Sequence, residues 1–140
     1  MNLKLITMLG VKVDQEVYEL IAPTSTGEIA VFPGHEALVT LAVPGVISVR
    51  IHKGDPDSKL EFFAISGGII EISQHSIRVL VDEADHGDDI IEAESRAALE
   101  RAIELREKAT DQIELDKAHA LVDRHMVRLK VAELRRHHRR

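Results

Sequence analysis

The chain has 140 residues, of which 44% are apolar, 30% charged and 3% aromatic, with neither Cys nor Trp. This supports a folded core in one ordinary domain or two small ones, and it excludes disulfides, thiol nucleophiles and Cys-ligated zinc. The net charge of −6 and the scarcity of rings argue against nucleic-acid binding, and no apolar run reaches the roughly 18 residues that a membrane span needs.

The first 87 residues read as β. Leu3, Leu5, Thr7 and Leu9 alternate with Asn2, Lys4, Ile6 and Met8, the period of a strand with one buried face. No basic stretch leads into an apolar core there, so no signal peptide is expected. Residues 46–51 are β-branched and bounded by Pro44-Gly45 and Gly54; residues 59–65 follow a loop of turn formers; residues 69–72 and 77–81 follow Gly67-Gly68 and Gln74-His75-Ser76. Short β-branched runs between turn signals predict an antiparallel sandwich of about eight to ten short strands.

All 8 glycines and all 4 prolines lie at or before Gly87. Residues 88–140 lack both and read as an antiparallel two-helix hairpin. Asp89 and Glu92 have the spacing of a capping box, which predicts a first helix over residues 90–108. Its stripe Ile91, Ser95, Ala98, Ala102, Leu105 is rich in small residues and permits close approach of a neighbour. Thr110-Asp111 can cap a second helix over residues 112–134. That helix carries two apolar faces. Leu115, Ala118, Leu121, Val122, Met126, Leu129 and Ala132 form one; Ile113, Ala120, Val127, Val131 and Leu134 form the other. A helix in a bare hairpin needs only one such face. The second implies a further partner: the β half, another subunit, or each in turn.

Charge divides the same way. Residues 1–87 carry 6 basic and 12 acidic groups, residues 88–116 carry 4 and 10, and residues 117–140 carry 8 and 2. Lys117, Arg124, Arg128 and Arg135 form a basic stripe between the apolar faces, read either as a solvated face or as a docking stripe. The acidic run Asp82-Glu83-Ala84-Asp85 is expected to be a solvated linker. Phosphate loops, nucleophile elbows and zinc-binding helices are all absent from the sequence. His137-His138, the pair most like a metal site, diverges by about 100° on a helix, so no metal is expected. Without a catalytic constellation, no enzyme activity is expected.

Four strings occur together and in order: Gly27-Glu28 through Phe32-Pro33-Gly34-His35, then Val43-Pro44-Gly45-Val46, Ser66-Gly67-Gly68-Ile69, and Asp82-Glu83-Ala84. With the helical tail, the chain resembles the epsilon subunit family of bacterial F-type ATP synthases. The resemblance implies a β-sandwich over residues 1–87 and a regulatory hairpin over residues 88–140. It implies a non-catalytic rotor part of a proton-translocating synthase, peripheral on the cytoplasmic face of the bacterial cell membrane. That part is then expected to join the gamma subunit to the membrane c-ring and to brake ATP hydrolysis through its helices. Carried over by matching strings, Glu28 lies near the ring and His35 on the gamma-facing surface. The resemblance also implies that the stripe Lys117, Arg124, Arg128, Arg135 meets acidic surface of the catalytic head, formed by alpha and beta subunits.

One motif departs from the family. Many members start the first helix with Ile/Leu-Asp-x-x-Arg-Ala, linked to ATP binding. Here the string is Ile91-Glu92-Ala93-Glu94-Ser95-Arg96-Ala97, with Glu for Asp and an acid-to-Arg spacing of four rather than three. Glu92 and Arg96 read either as an ordinary i, i+4 pair or as an ATP-sensing site with ATP a weak regulatory ligand. No other cofactor is implied. A stand-alone sandwich adaptor is the more distant alternative.

Overall fold

Alternation decides the first strand. In β1 (Asn2–Thr7), Leu3 and Leu5 are buried while Lys4 between them is exposed, as a strand with one covered face requires. The computed structural model describes residues 1–138; Arg139 and Arg140, which complete the basic tail, lie outside the described residues. After β1 come β2 (Gly10–Glu16), β3 (Glu19–Thr24), β4 (Gly27–Val31), β5 (Leu38–Ala42), β6 (Gly45–Arg50), β7 (Glu61–Ile65), β8 (Gly68–Ile72), β9 (Ser76–Val81) and β10 (Ala84–His86). Two helices follow, α1 (Glu92–Lys108) and α2 (Gln112–His138).

The strands pair in the order β10-β7-β6-β3-β5-β8-β9-β1-β2, with β4 on β3. A single bridge, Thr24 to Ala42, joins β3 to β5. The sheet folds there into two layers, and Leu20, Val31, Ile47, Val49 and Phe63 of one meet Leu3, Leu5, Ile70, Ile77 and Val79 of the other. Among the described residues the ladders are antiparallel except β1–β9. That parallel register sets Leu3 beside Ile77 and Leu5 beside Val79, so the apolar side chains of both strands enter the core together.

Two hairpins share one turn chemistry. In β1–β2 and β3–β4, the two-residue loops Met8-Leu9 and Ser25-Thr26 are followed by glycines at φ +117° and +119°. Thr7 and Thr24 each accept the amide two residues on. A hydroxyl stapling the turn and a glycine in the left-handed region together let the strands reverse.

Gly68 answers a different need. A Cβ there would lie 2.0 Å from the Leu80 carbonyl oxygen, on the strand beside it, where Gly68 pairs with Val81 at the end of the β8–β9 ladder. Gly68→Ala is expected to destabilise the sandwich by about 3 kcal/mol, at the upper end of overpacking costs, read as a lowered denaturant midpoint. An unchanged midpoint would mean that the strands part without cost.

In β7 both faces are covered, which is why Phe62-Phe63-Ala64-Ile65 is continuously apolar. Phe63 and Ile65 enter the sandwich core, while Phe62 and Ala64 point to the opposite side. There they meet Ile90, Val131 and Ala132, flanked by Val46, Leu60, Val127 and Leu134. The β half itself is therefore the second partner of α2.

The helix starts differ from expectation at one end. Asp89 does not cap α1; it closes a 3-10 turn at Gly87–Asp89. Ile90 and Ile91 stay extended, and α1 begins at Glu92 without a side-chain cap. Ile90 must insert into the seam under α2, which holds the chain out of helical geometry for two more residues. Asp111 does cap α2, accepting the Glu114 amide at 2.8 Å, and α2 continues past residue 134 to His138. Of the small-residue stripe on α1, Ser95 and Ala102 are buried against α2, whereas Ile91 and Leu105 are exposed.

Candidate functional site

The basic stripe of α2 spaces its charges by helical turns. Arg124, Arg128 and Arg135 stand at intervals of four and seven, so all three return to one face. The opposing charges come from the segment that joins the two halves. In the β10–β7 ladder Asp85 stands opposite Ala64, on the side of β7 that α2 covers. Arg128 Nη1 lies 3.3 Å from Asp85 Oδ2, and Arg124 Nη2 approaches the same oxygen at 3.9 Å. Arg124 Nε lies 3.1 Å from Glu83 Oε2, an ion pair out of line for a hydrogen bond. Arg135 Nη2 lies 2.7 Å from Asp88 Oδ1 and its Nη1 donates to the Gly87 carbonyl. The acidic run is thus not a solvated linker. Its last two residues, Ala84 and Asp85, begin strand β10, and Glu83 and Asp85 pair with Arg124 and Arg128.

Gly87 sets how close the helix comes. It is buried, and a Cβ there would sit 3.1 Å from both the Phe62 carbonyl oxygen and Val131 Cγ1. Partly exposed ion pairs contribute roughly 0–1 kcal/mol each, whereas burying a Val or Phe side chain contributes about 1.5–3 kcal/mol. The apolar seam therefore holds the helix and the charges fix its register.

Lys117 is exposed, on the rim of a groove of about 610 Å³ between the first half of α2 and the β7–β8 and β9–β10 turns. Leu121 and Val127 line the helix side of that groove and Ile65 and Gly67 the sheet side, with Asp82 and Asp123 at its edge.

Glu92 and Arg96 do come together, at 2.9 Å. Arg136 Nη1 also reaches both carboxylate oxygens of Glu92, at 3.2 and 3.0 Å. Glu92 therefore fastens the end of α2 to the start of α1, a link the sequence reading missed.

Glu28 and His35 do not share a site. Glu28 is the second residue of β4, on a groove beside Met126 and Lys130 of α2. His35 lies past the far end of β4, its Nδ1 2.6 Å from the Glu36 carbonyl oxygen. Next to that loop the outward face of the sheet is apolar. Val39, Leu41 and Ile69 are 71%, 59% and 43% exposed, and Leu41 stands opposite Ile69 in the β5–β8 ladder. A contiguous apolar strip on a sheet face marks an interaction surface. Alternation in residues 38–42 was the available signal, because both registers of that strand carry apolar residues. Among the described residues no group of three or more His, Asp or Glu could hold a metal ion, and no helix is long and apolar enough to cross a membrane.

The family model of the ATP synthase delta/epsilon chain beta-sandwich domain matches residues 1–87. The chain belongs to this family. Among curated proteins, this epsilon-family chain is 38% identical to the ATP synthase epsilon chain of Chromobacterium violaceum over 72% of its own length and 70% of the relative's. It is 35% identical to ATP synthase epsilon chain 2 of Syntrophotalea carbinolica, over 94% and 93% respectively. Its fold matches a chain in the cryo-EM structure of the Euglena gracilis mitochondrial ATP synthase, with a TM-score of 0.76 at 24% identity, covering 94% of this chain and 79% of that one.

Proposed function

We propose that this epsilon-family chain, itself non-catalytic, is a central-stalk subunit of a bacterial, proton-translocating ATP synthase. It works at the cytoplasmic face of the membrane as a peripheral protein, couples gamma to the c-ring and brakes ATP hydrolysis through α1 and α2. The observation that carries the reading is the seam itself. One helix is held to the sandwich by a short apolar contact around Phe62 and Val131, with the three arginines of its basic stripe matched to the chain's own acids. Such a contact is strong enough to park the helix and small enough to release it. Once released, Lys117, Arg124, Arg128 and Arg135 are free to face acidic surface on the alpha and beta subunits, and both apolar faces of α2 are open. The strip Val39, Leu41, Ile69 with His35 beside it is the gamma-facing surface in this reading, and Glu28 at the start of β4 meets the ring.

The test is a pull-down with gamma followed by an ATPase assay of the assembled complex with and without residues 88–140. Gamma retention by the truncated chain together with a severalfold rise in hydrolysis is the expected result. An unchanged rate removes the brake, and loss of gamma binding removes the assignment of that surface to the sandwich.

ATP sensing through Glu92 and Arg96 is the second reading. Both groups are already engaged, Arg96 and Arg136 sharing one carboxylate, so nucleotide binding there has to displace Arg136. Calorimetry of the full chain at millimolar ATP decides it, and absence of heat excludes ATP as a ligand.

A further inference from the structure

A groove of about 360 Å³ runs between the helices, lined by Glu94, Ser95 and Arg101 of α1 and by His125 and Arg128 of α2. Three buried polar atoms of its lining residues, Ser95 Oγ, His125 Nδ1 and Arg128 Nε, lack a hydrogen-bond partner among the described residues. Ser95 Oγ is buried, its residue 2% exposed, and His125 Nδ1 is buried as well; neither is hydrogen-bonded. The charges facing the imidazole are mostly of one sign. Arg124 and Arg128 flank it on its own helix, and Arg101 faces it from α1. Against them stand Asp85 of β10, already paired with Arg124 and Arg128, and Glu94 on the groove wall. A neutral imidazole suits this setting. An imidazolium brings a fourth positive charge to this half-open groove with no carboxylate bonded to it.

We propose that His125 is a proton sensor of the hairpin: its protonation drives α1 and α2 apart, so that mild acidification uncovers the α1-facing side of α2. The inference rests on the brake reading for its consequence, because in that reading both apolar faces of α2 must open before it inhibits, so acid favours the brake by opening one of them.

Burial, then the charges of Arg124, Arg128 and Arg101, hold the His125 pKa below the ordinary histidine value of 6.5 in the closed hairpin. The open state, with an ordinary imidazole, binds more protons, so closure strengthens as pH rises. Well above the ordinary value both states are neutral and closure is complete. As pH falls through that value the open state gains its proton first and closure weakens, until the closed imidazole protonates as well.

The experiment is amide hydrogen exchange of the full chain between about pH 5.5 and pH 8, a window in which ordinary histidine titrates and ordinary carboxylates stay ionised. It reads residues such as Ala118 and Val122, buried on α2, after correction for the intrinsic pH dependence of exchange. The opening constant is expected to rise severalfold on acidification, bounded by about tenfold per pH unit for one proton. H125Q, which keeps a polar side chain but cannot titrate, is expected to flatten the profile. A flat wild-type profile, or equal slopes in both proteins, overturns the sensor. ATPase assays of complexes carrying each chain over the same window separate the two ideas. A pH-dependent opening lost in H125Q, with ATPase identical in both complexes, upholds the sensor and overturns the brake.

Discussion

Replacing Val131 with Asp is expected to release α2 from the sandwich while the sandwich itself stays folded. Val131 is fully buried where the helix meets Phe62, Ala64 and Ile90. The substitution removes about 1.5–2 kcal/mol of apolar burial. It also places a carboxylate in a fully buried site beside the backbone that carries Asp85 and Asp88; the neighbouring cation, Arg135, is already engaged by Asp88 and the Gly87 carbonyl, and a buried charge without a partner of its own costs several kcal/mol more. The sum exceeds what the four arginine pairs of the seam supply at roughly 0–1 kcal/mol each. The docked-to-free ratio is therefore expected to fall at least about a hundredfold, the equivalent of 2.7 kcal/mol. Because the chain has no Cys, spin labels at Lys53→Cys and Glu133→Cys read the separation directly, and both positions are exposed. A lengthened distance with an unchanged melt of the β half is the expected pair of results. An unchanged distance would show that the charges, not the apolar seam, hold the helix. In the assembled complex the same variant is expected to hydrolyse ATP more slowly than wild type.

Leu41→Asp tests the other surface. Leu41 points outward beside Ile69 and Val39, so the substitution leaves the sandwich core intact. At the centre of an interface, a charge facing an apolar partner patch costs 2 kcal/mol or more. Affinity for gamma is expected to fall at least about thirtyfold, measured by titration of gamma with the full chain. His35→Ala, at the margin of the strip, is expected to cost less. Full affinity of L41D would move the gamma contact off this face.

The two halves were legible from punctuation and period. Turn residues end at Gly87, and the 3.6-residue pattern of residues 112–134 needs no tertiary information. The parallel β1–β9 pairing was not legible, because alternation fixes which face of a strand is buried and not the direction of its neighbour. The start of α1 was misread for a related reason. Asp89 and Glu92 satisfy a local capping rule, but Ile90 has a tertiary use in the seam that overrides it. The acidic run was misread because each charged segment was weighed alone. Asp82 to Asp88 and Arg124 to Arg135 are about 40 residues apart in sequence, and nothing local says that strand β10 will turn Asp85 toward α2.

Composition, punctuation and the two apolar faces of the second helix determined by themselves that a β half would precede a hairpin and that α2 would need two partners. Those properties follow from backbone preference and periodic burial, which act within a few residues. The tertiary structure alone decided who the second partner is, since Phe62 and Ala64 become a free face only when β7 takes its place in the sheet. It also decided that the arginines of the stripe pair with Glu83, Asp85 and Asp88, and that His125 stands among three arginines, because Coulomb interactions depend on distance in space and not on separation along the chain.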